Sequence, residues 1–224
     1  RDGVVKVRDI PQRFTAMNGS VRFSKERVVT EGLSAEVGGG TIKVEGSAEM
    51  RGTSLVDFSV RAAVENVGVR YPPGLNAALE GTLYYDGDTE SQTLSGEMRM
   101  LRARFEKRIE WKSMLVDFTK SVTSRRKADT GWIGETRLNV RFAGSENVLF
   151  ESNLAKIPLS VDLLFRGTVN QPQLLGRIEA RKGEVYFRNN VFRILYASAD
   201  LVDPLRLNPI LDVQAETRVR DYRI

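Results

Sequence analysis

Apolar and polar residues alternate along this chain with a period of two, most regularly close to its C-terminus. The apolar positions of the last such run are Leu211, Val213, Ala215, Thr217 and Val219. Charged and amide side chains occupy the positions between them, so the run predicts a strand with one buried face and one wet face. Shorter runs of the same kind precede it, and Lys182-Gly183 and Asn189-Asn190 stand where hairpin turns are expected.

The same alternation recurs in most of the remaining chain, roughly every eight to twelve residues, as in an antiparallel meander. Turn-forming residues separate the runs at Asn18-Gly19, Gly38-Gly39-Gly40, Asp86-Gly87-Asp88 and Asn170-Gln171-Pro172. The segment Tyr71-Pro72-Pro73-Gly74 is predicted to be a loop, because two consecutive prolines do not fit a central strand. These patterns together predict an all-β fold.

One segment, Arg104 to Thr123, departs from the period of two. Its apolar residues recur at three- and four-residue steps, which predicts a short amphipathic helix. A basic run follows the helix, so we expect an insertion of helix and loop at about 104–130. Two roles are open: the helix closes an open end of the sheet, or the segment contacts a membrane or a partner. The residues expected to contact a membrane or a partner are Trp111, Phe118, Arg125, Arg126 and Lys127.

A single helix cannot cover the apolar side of so many strands, so the sheet must fold onto itself. A sandwich, a closed barrel, and a curved sheet with an apolar slot between its walls would each achieve this. The residues predicted to line the apolar side are Phe23, Val44, Val60, Leu79, Met98, Phe165, Ile178, Val185, Phe187, Val213 and Val219. Small residues on or beside these runs, such as Gly81 and Gly96, would leave room in a slot, but they equally suit tight packing.

Composition excludes several kinds of chemistry. The 224 residues contain no cysteine and no histidine, which excludes disulfides, thiol and imidazole catalysis and the common zinc sites. The carboxylates Asp200 and Asp203 flank a proline turn, where aspartate commonly caps its own backbone. We therefore expect neither enzyme activity nor a cofactor or metal.

Length and hydropathy indicate how the chain is organised. At 41% hydrophobic residues, the chain can bury a sizeable core, and we predict one domain over residues 1–224. No run approaches the roughly 18 apolar residues of a membrane-spanning helix, and no leader sequence opens the chain. We expect it to be part of a longer protein.

The charge pattern bears on nucleic acid binding. Basic residues alternate with aromatic ones between residues 99 and 111, a pattern found in single-strand binding surfaces. However, 34 basic residues face 29 acidic ones, and the aromatic residues mostly fall on the apolar phase. A solvated face is therefore the favoured interpretation, and no nucleic acid partner is expected.

The C-terminal quarter resembles the C-terminal domain of TamB proteins. The resemblance lies in GRIEARKGEVYFRNNVFRI followed by DPLRLNPILDVQAETRVRDYRI, with spaced glycines and breaks at Asp203-Pro204 and Asn208-Pro209. A second similar patch, VRYPPGLNAALEG, runs from Val69 to Gly81. The resemblance thus extends over most of the chain, more loosely before Val64.

The resemblance implies a fold and a setting. It favours a long, curved antiparallel β-sheet folded into a taco-like groove with an apolar interior, with one short amphipathic α-helix. It also implies a periplasmic location in a didermous bacterium, as part of a protein anchored in the inner membrane that reaches membranes at both ends. An outer-membrane barrel protein of the TamA or BamA type would be the partner.

Two functions are compatible with this setting. In the first, the apolar residues named above form a lipid-binding groove that conducts phospholipid acyl chains from the inner to the outer membrane. In the second, the protein is an assembly chaperone for outer-membrane proteins and autotransporters. An acyl chain needs a continuous apolar stripe, whereas a β-barrel client needs an open strand edge.

Overall fold

The computed structural model describes residues 3–6, 13–70, 73–106, 131–188, 190–204, 208–219 and 222–223. Within these ranges most residues lie in strands, with no α-helix and one 3-10 turn at Gly131–Glu135. The strands are β1 Gly3–Lys6, β2 Arg13–Asn18, β3 Val21–Phe23, β4 Arg27–Val37, β5 Gly40–Arg51, β6 Ser54–Val69, β7 Leu75–Gly87, β8 Gln92–Glu106, β9 Arg137–Glu151, β10 Ala155–Gly167, β11 Pro172–Ala180, β12 Glu184–Phe187, β13 Asn190–Leu201, β14 Ile210–Glu216, β15 Arg218–Val219 and β16 Tyr222–Arg223. The predicted all-β class is confirmed.

One curved sheet contains β1 to β14, and β15 pairs separately with β16. Most neighbours in the large sheet follow each other in the chain and are antiparallel, as in the predicted meander. The exception is β8 beside β9, which is parallel, with Thr93 opposite Arg137 and Glu106 opposite Glu151. Parallel neighbours need a long connection, and the stretch from 107 to 136 provides the length. The prediction of a wholly antiparallel sheet is therefore wrong at this pair.

At two of the predicted turns the chain does not reverse but continues in the same direction after a break in the strand. Both β11 and β12 pair with β10 on one side and with β13 on the other, so the chain keeps its direction through Lys182-Gly183. The amide of Ile194 donates to the carbonyl of Gly183 at 2.9 Å, which holds the break in the ladder. Likewise β2 and β3 both pair with β4, so Asn18-Gly19 is not a hairpin turn. Glycine marks a kink here as readily as a turn.

Other predicted turns are confirmed as hairpins. Gly38 and Gly39 form a two-residue loop with positive φ values of 57° and 84° between β4 and β5, as hairpin loops of this length require. Between β7 and β8 the Asp88 carboxylate accepts hydrogen bonds from the amides of Ser91 (2.8 Å) and Glu90 (2.7 Å). These bonds stabilise the charged form and lower the pKa of Asp88.

The predicted helix does not begin at Arg104, because β8 continues to Glu106. Phe105 lies opposite Leu75 on one side and stacks on Phe150 on the other, with ring centroids 5.9 Å apart. A bulge at Leu101 shifts the apolar phase of β8 by one residue, so that Ala103 and Phe105 continue the apolar positions of the strand. The remainder of the predicted helix and basic loop lies outside the described residues.

Candidate functional site: the apolar face of the sheet

The strand registers bring the apolar positions of neighbouring strands onto one side of the sheet, called here the apolar face. For example, Val44 lies opposite Ala62, and Ala62 opposite Leu83. The charged positions share the opposite side, the polar face. Two groups of buried side chains lie on the apolar face: Val37, Val64, Val67, Met98 and Val140 in one, and Ala103, Val148 and Val161 in the other. The registers extend this face to β14, because Ile178 lies opposite Ala199 and Ala199 opposite Leu211.

Bulges and glycines preserve this face while bending the sheet. Asn66, with a φ of 51°, forms a bulge in β6 that puts Val64 and Val67 on the same side. Gly81 in β7 has a φ of 152°, and a Cβ atom there would lie 2.1 Å from the carbonyl oxygen of Glu97. Bulges and glycine kinks are the devices by which sheets acquire curvature.

Gly81 also shows how its neighbours pack. A Cβ atom at this position would lie 3.0 Å from Sδ of Met98, so the methionine side chain already occupies the space above the glycine. Val64 lies opposite Gly81 on the other side and belongs to the same buried group as Met98. Of the two interpretations of Gly81, the structure supports tight packing.

The predicted lining residues fall into a packed set and an exposed set. Met98 is 5% exposed, and Phe165 packs edge-on against Phe142 with ring centroids 5.2 Å apart. The other members of the packed set are half-buried on the apolar face: Val44, Val60, Leu79, Ile178 and Val185. Their predicted common face is thus present, and a role in binding lipid stays a prediction.

The exposed set lies toward the edges of the sheet. Phe23 in β3 is 76% exposed, Phe187 at the β12–β13 hairpin 42%, and Val213 in β14 59%. Leu211, which the alternation also places on this face, is 65% exposed. Among the described residues β14 pairs only with β13, so within that part of the chain its apolar side chains have a neighbouring strand on one side.

Val219 belongs to β15, which is not part of the large sheet. The predicted nine-residue strand ends at Glu216, and Arg218–Val219 pairs with Tyr222–Arg223 instead. Between them Thr217 is buried, and its Oγ1 donates to the carbonyl of Val191 at 2.9 Å. This bond anchors Thr217 to β13, although the alternation of residue types continues. Trp111, Phe118, Arg125, Arg126 and Lys127 lie outside the described residues.

The polar face is crossed by ion pairs between neighbouring strands. Arg141 of β9 holds Asp162 of β10 through two hydrogen bonds of 2.8 and 2.6 Å. This bidentate contact lowers the pKa of Asp162 and raises that of Arg141. Arg177 similarly binds Asp200, one of the two carboxylates considered above. Pairs of this kind hold adjacent strands in register from the wet side.

Sequence reasoning missed the exposed edge at β14. All but the last residue of β14 is exposed, on both faces of the strand. Exposed apolar residues beside it in β13 are Val191 and Leu195. Alternation predicts which side a residue faces, and it carries no signal for whether another strand lies alongside.

The geometry defines the class: an all-β protein built on one large amphipathic sheet, with an apolar face that becomes exposed toward its C-terminal edge. The described residues include no helix long and apolar enough to cross a membrane. Residues 31–224 match the family model of the TamB C-terminal domain. The chain therefore belongs to the TamB family, whose members are cell-envelope components acting in outer-membrane assembly and translocation. Comparisons with curated proteins and with solved structures yield no match.

Proposed function

We propose that this domain is a non-enzymatic conduit whose apolar face carries phospholipid acyl chains across the periplasm. The observation that carries the proposal is the continuity of the apolar face from the packed centre to exposed Leu211 and Val213. Soluble proteins rarely leave a large contiguous apolar patch uncovered unless it binds something. A taco-like curvature of the sheet would turn this face into a groove.

Energetics favour an acyl chain as the ligand. Each methylene group buried against the face contributes about 0.8 kcal/mol, so a chain can be held along the face without any specific polar contact. The strength of such binding does not depend on which methylene groups contact the face, so an acyl chain can slide along it. The polar face, with its ion pairs, would meanwhile keep the outside of the sheet in water.

Family membership supports the wider setting of this proposal. The full-length protein would be anchored in the inner membrane of a didermous bacterium and would deliver phospholipid to the outer membrane. It would work beside a barrel protein of the TamA or BamA type, with membranes at both ends.

Photo-crosslinking tests the conduit directly. A photo-reactive residue at Val213 should label phospholipid in cells, and the same residue at Gln214 should not, because Gln214 lies on the opposite face of the same strand. Native mass spectrometry of the purified chain should in addition detect co-purified phospholipid. Equal labelling from both positions would reject the conduit.

A second function, assembly of outer-membrane proteins, is favoured by the edge strand β14. An exposed edge with apolar side chains is a template onto which a client strand can add. An unfolded outer-membrane protein should then protect the amides of residues 210–216 from hydrogen exchange. Protection of these amides, together with crosslinks to protein and none to phospholipid, would favour the chaperone over the conduit.

A further inference from the structure

A hollow of about 1050 Å³ is lined by charged and polar residues of the polar face, together with Val69, Ala77, Ala103 and Val148 from the apolar positions of the same strands. It lies where β6 ends, β7 begins and β8 ends. The cavity is called here the arginine hollow, and five of the polar residues that line it are Arg70, Asn76, Arg102, Arg104 and Asn147. The strand registers place Arg104 beside Asn76 and Arg102 beside Ala78, so the two arginines project from β8 on the same side.

The arginines of the hollow differ from Arg141 and Arg177 of the polar face in how they are paired. Arg141 and Arg177 each bind a carboxylate on the next strand. Within the described part of the chain, the side chains of Arg70 and Arg102 make no ion pair or hydrogen bond. To described residues, the Arg104 side chain makes only long contacts, 3.5 Å to Glu106 and 3.8 Å to Glu151, against about 2.8 Å for a good charge-assisted bond.

The charge balance of the hollow favours an anion. Three arginines line it against one carboxylate, Glu106. Like charges held together on one surface repel each other, and a bound anion would relieve that repulsion. Guanidinium groups match phosphate oxygens with two parallel hydrogen bonds, and the amides of Asn76 and Asn147 can donate further ones.

The hollow also has an apolar part. Leu149 lies opposite Arg104 on one side and Pro158 on the other, and both line the cavity. Its volume exceeds that of a phosphate ion several-fold and is comparable to that of small-molecule sites. Cationic groups beside apolar ones suit an organic phosphate better than a bare inorganic anion.

We propose that the arginine hollow binds a phosphate ester group, with Arg70, Arg102 and Arg104 as its cationic ligands. Arg102 and Arg104 project from the polar face, whereas the acyl-chain groove is proposed on the apolar face. The phosphate could belong to a lipid headgroup or to a small soluble ester, and the two sources require the same chemistry.

Calorimetric titration of the 224-residue chain tests the proposal. The probes are dihexanoyl phosphatidylglycerol below its micelle concentration, glycerol phosphate, and dihexanoyl phosphatidylcholine as a zwitterionic comparison. The anionic probes should bind saturably and more tightly than the zwitterionic one. Arg102→Gln and Arg70→Gln should each weaken binding by about tenfold, the usual effect of one charge-assisted hydrogen bond. Tighter binding of the lipid than of glycerol phosphate identifies a headgroup site, and equal binding identifies a soluble ester.

Arg166→Gln is the matched control. Arg166 is an exposed arginine of β10 on the polar face, toward the other end of the strand, and its substitution removes the same charge. Both hollow variants replace exposed side chains, so thermal unfolding should be unchanged. The proposal is overturned if neither anionic probe binds, or if Arg166→Gln weakens binding as much as Arg102→Gln. It is also overturned if Val213→Arg abolishes binding while Arg102→Gln leaves it intact, because the lipid would then occupy the apolar face.

Discussion

The centre of the sheet and its C-terminal edge have the same alternating pattern and very different surroundings. In the centre, Met98 and Val140 have strands on both sides and belong to one buried group. At the edge, Leu211 and Val213 follow an equally regular alternation, yet more than half of each residue is exposed. In the described ranges only β13 lies beside their strand, and no described strand packs on their other flank.

This difference in burial indicates that the two parts of the apolar face have different roles. Side chains in the centre gain their burial from the fold itself, so they stabilise it. Side chains at the edge leave apolar surface in water, and this surface gains free energy only when a ligand or partner covers it. The centre should therefore tolerate substitution poorly, and the edge should tolerate it well while losing binding.

The largest expected effect is that of a charge placed in the centre. Met98→Asp would bury an unpaired carboxylate and should cost at least about 3 kcal/mol of the free energy of unfolding, or prevent folding. Val213→Asp, the same charge at the edge, should stay within about 0.5 kcal/mol. Urea denaturation of the two variants measures this contrast. Equal destabilisation would mean that the edge is packed as tightly as the centre.

A smaller loss is expected from Gly81→Val. The new side chain would collide with the carbonyl of Glu97 and displace Met98, in a backbone conformation that favours glycine. We expect a loss of about 2 kcal/mol or more in the free energy of unfolding. The control is Gly32→Ala, since a Cβ atom at Gly32 would meet nothing within 4 Å. If Gly81→Val were as stable as Gly32→Ala, the close approach of β7 and β8 would not require glycine at position 81.

Phe187→Arg should barely change stability, because Phe187 is an exposed member of the apolar face. The arginine stem can lie along the face while its charged end stays in water. The variant should fold with a melting temperature close to that of the native chain and lose transfer of fluorescent phospholipid between vesicles. Glu184→Arg on the same strand, facing the other side, should keep transfer. Loss of transfer in both variants would point to surface charge as the cause.

The smallest effect concerns pH and the Arg141–Asp162 pair. The hydrogen bonds from Arg141 lower the pKa of Asp162 in the folded chain, so the pair stabilises the fold above the ordinary aspartate pKa of about 3.9. That contribution is lost as the pH falls below this value. Asp162→Asn should therefore be slightly less stable than the native chain at pH 7, with the gap closing below about pH 4. A gap that stays constant down to pH 2 would show that the pair does not contribute. The effect is small because both groups are largely exposed.

Alternation alone sufficed to predict the strands and the side of the sheet that each apolar residue faces. Residues as distant in the chain as Val44 and Phe165 were placed on a common face, because a period of two reports the direction of each side chain. The helix prediction was wrong at its start, because Arg104 to Glu106 still belong to β8, with Phe105 beside Leu75 and Phe150. Likewise, Lys182-Gly183 interrupts a strand and does not reverse it.

The sequence by itself determined that this protein is an amphipathic β-sheet, and its motifs determined the family to which it belongs. Tertiary structure decided which strands lie side by side, including the parallel pair of β8 and β9, and which apolar residues are covered. The physical reason is that side-chain direction is a local property of the backbone, whereas burial depends on neighbours that are distant in the chain. For that reason Met98 is buried and Val213 is exposed, although both occupy apolar positions of the alternation.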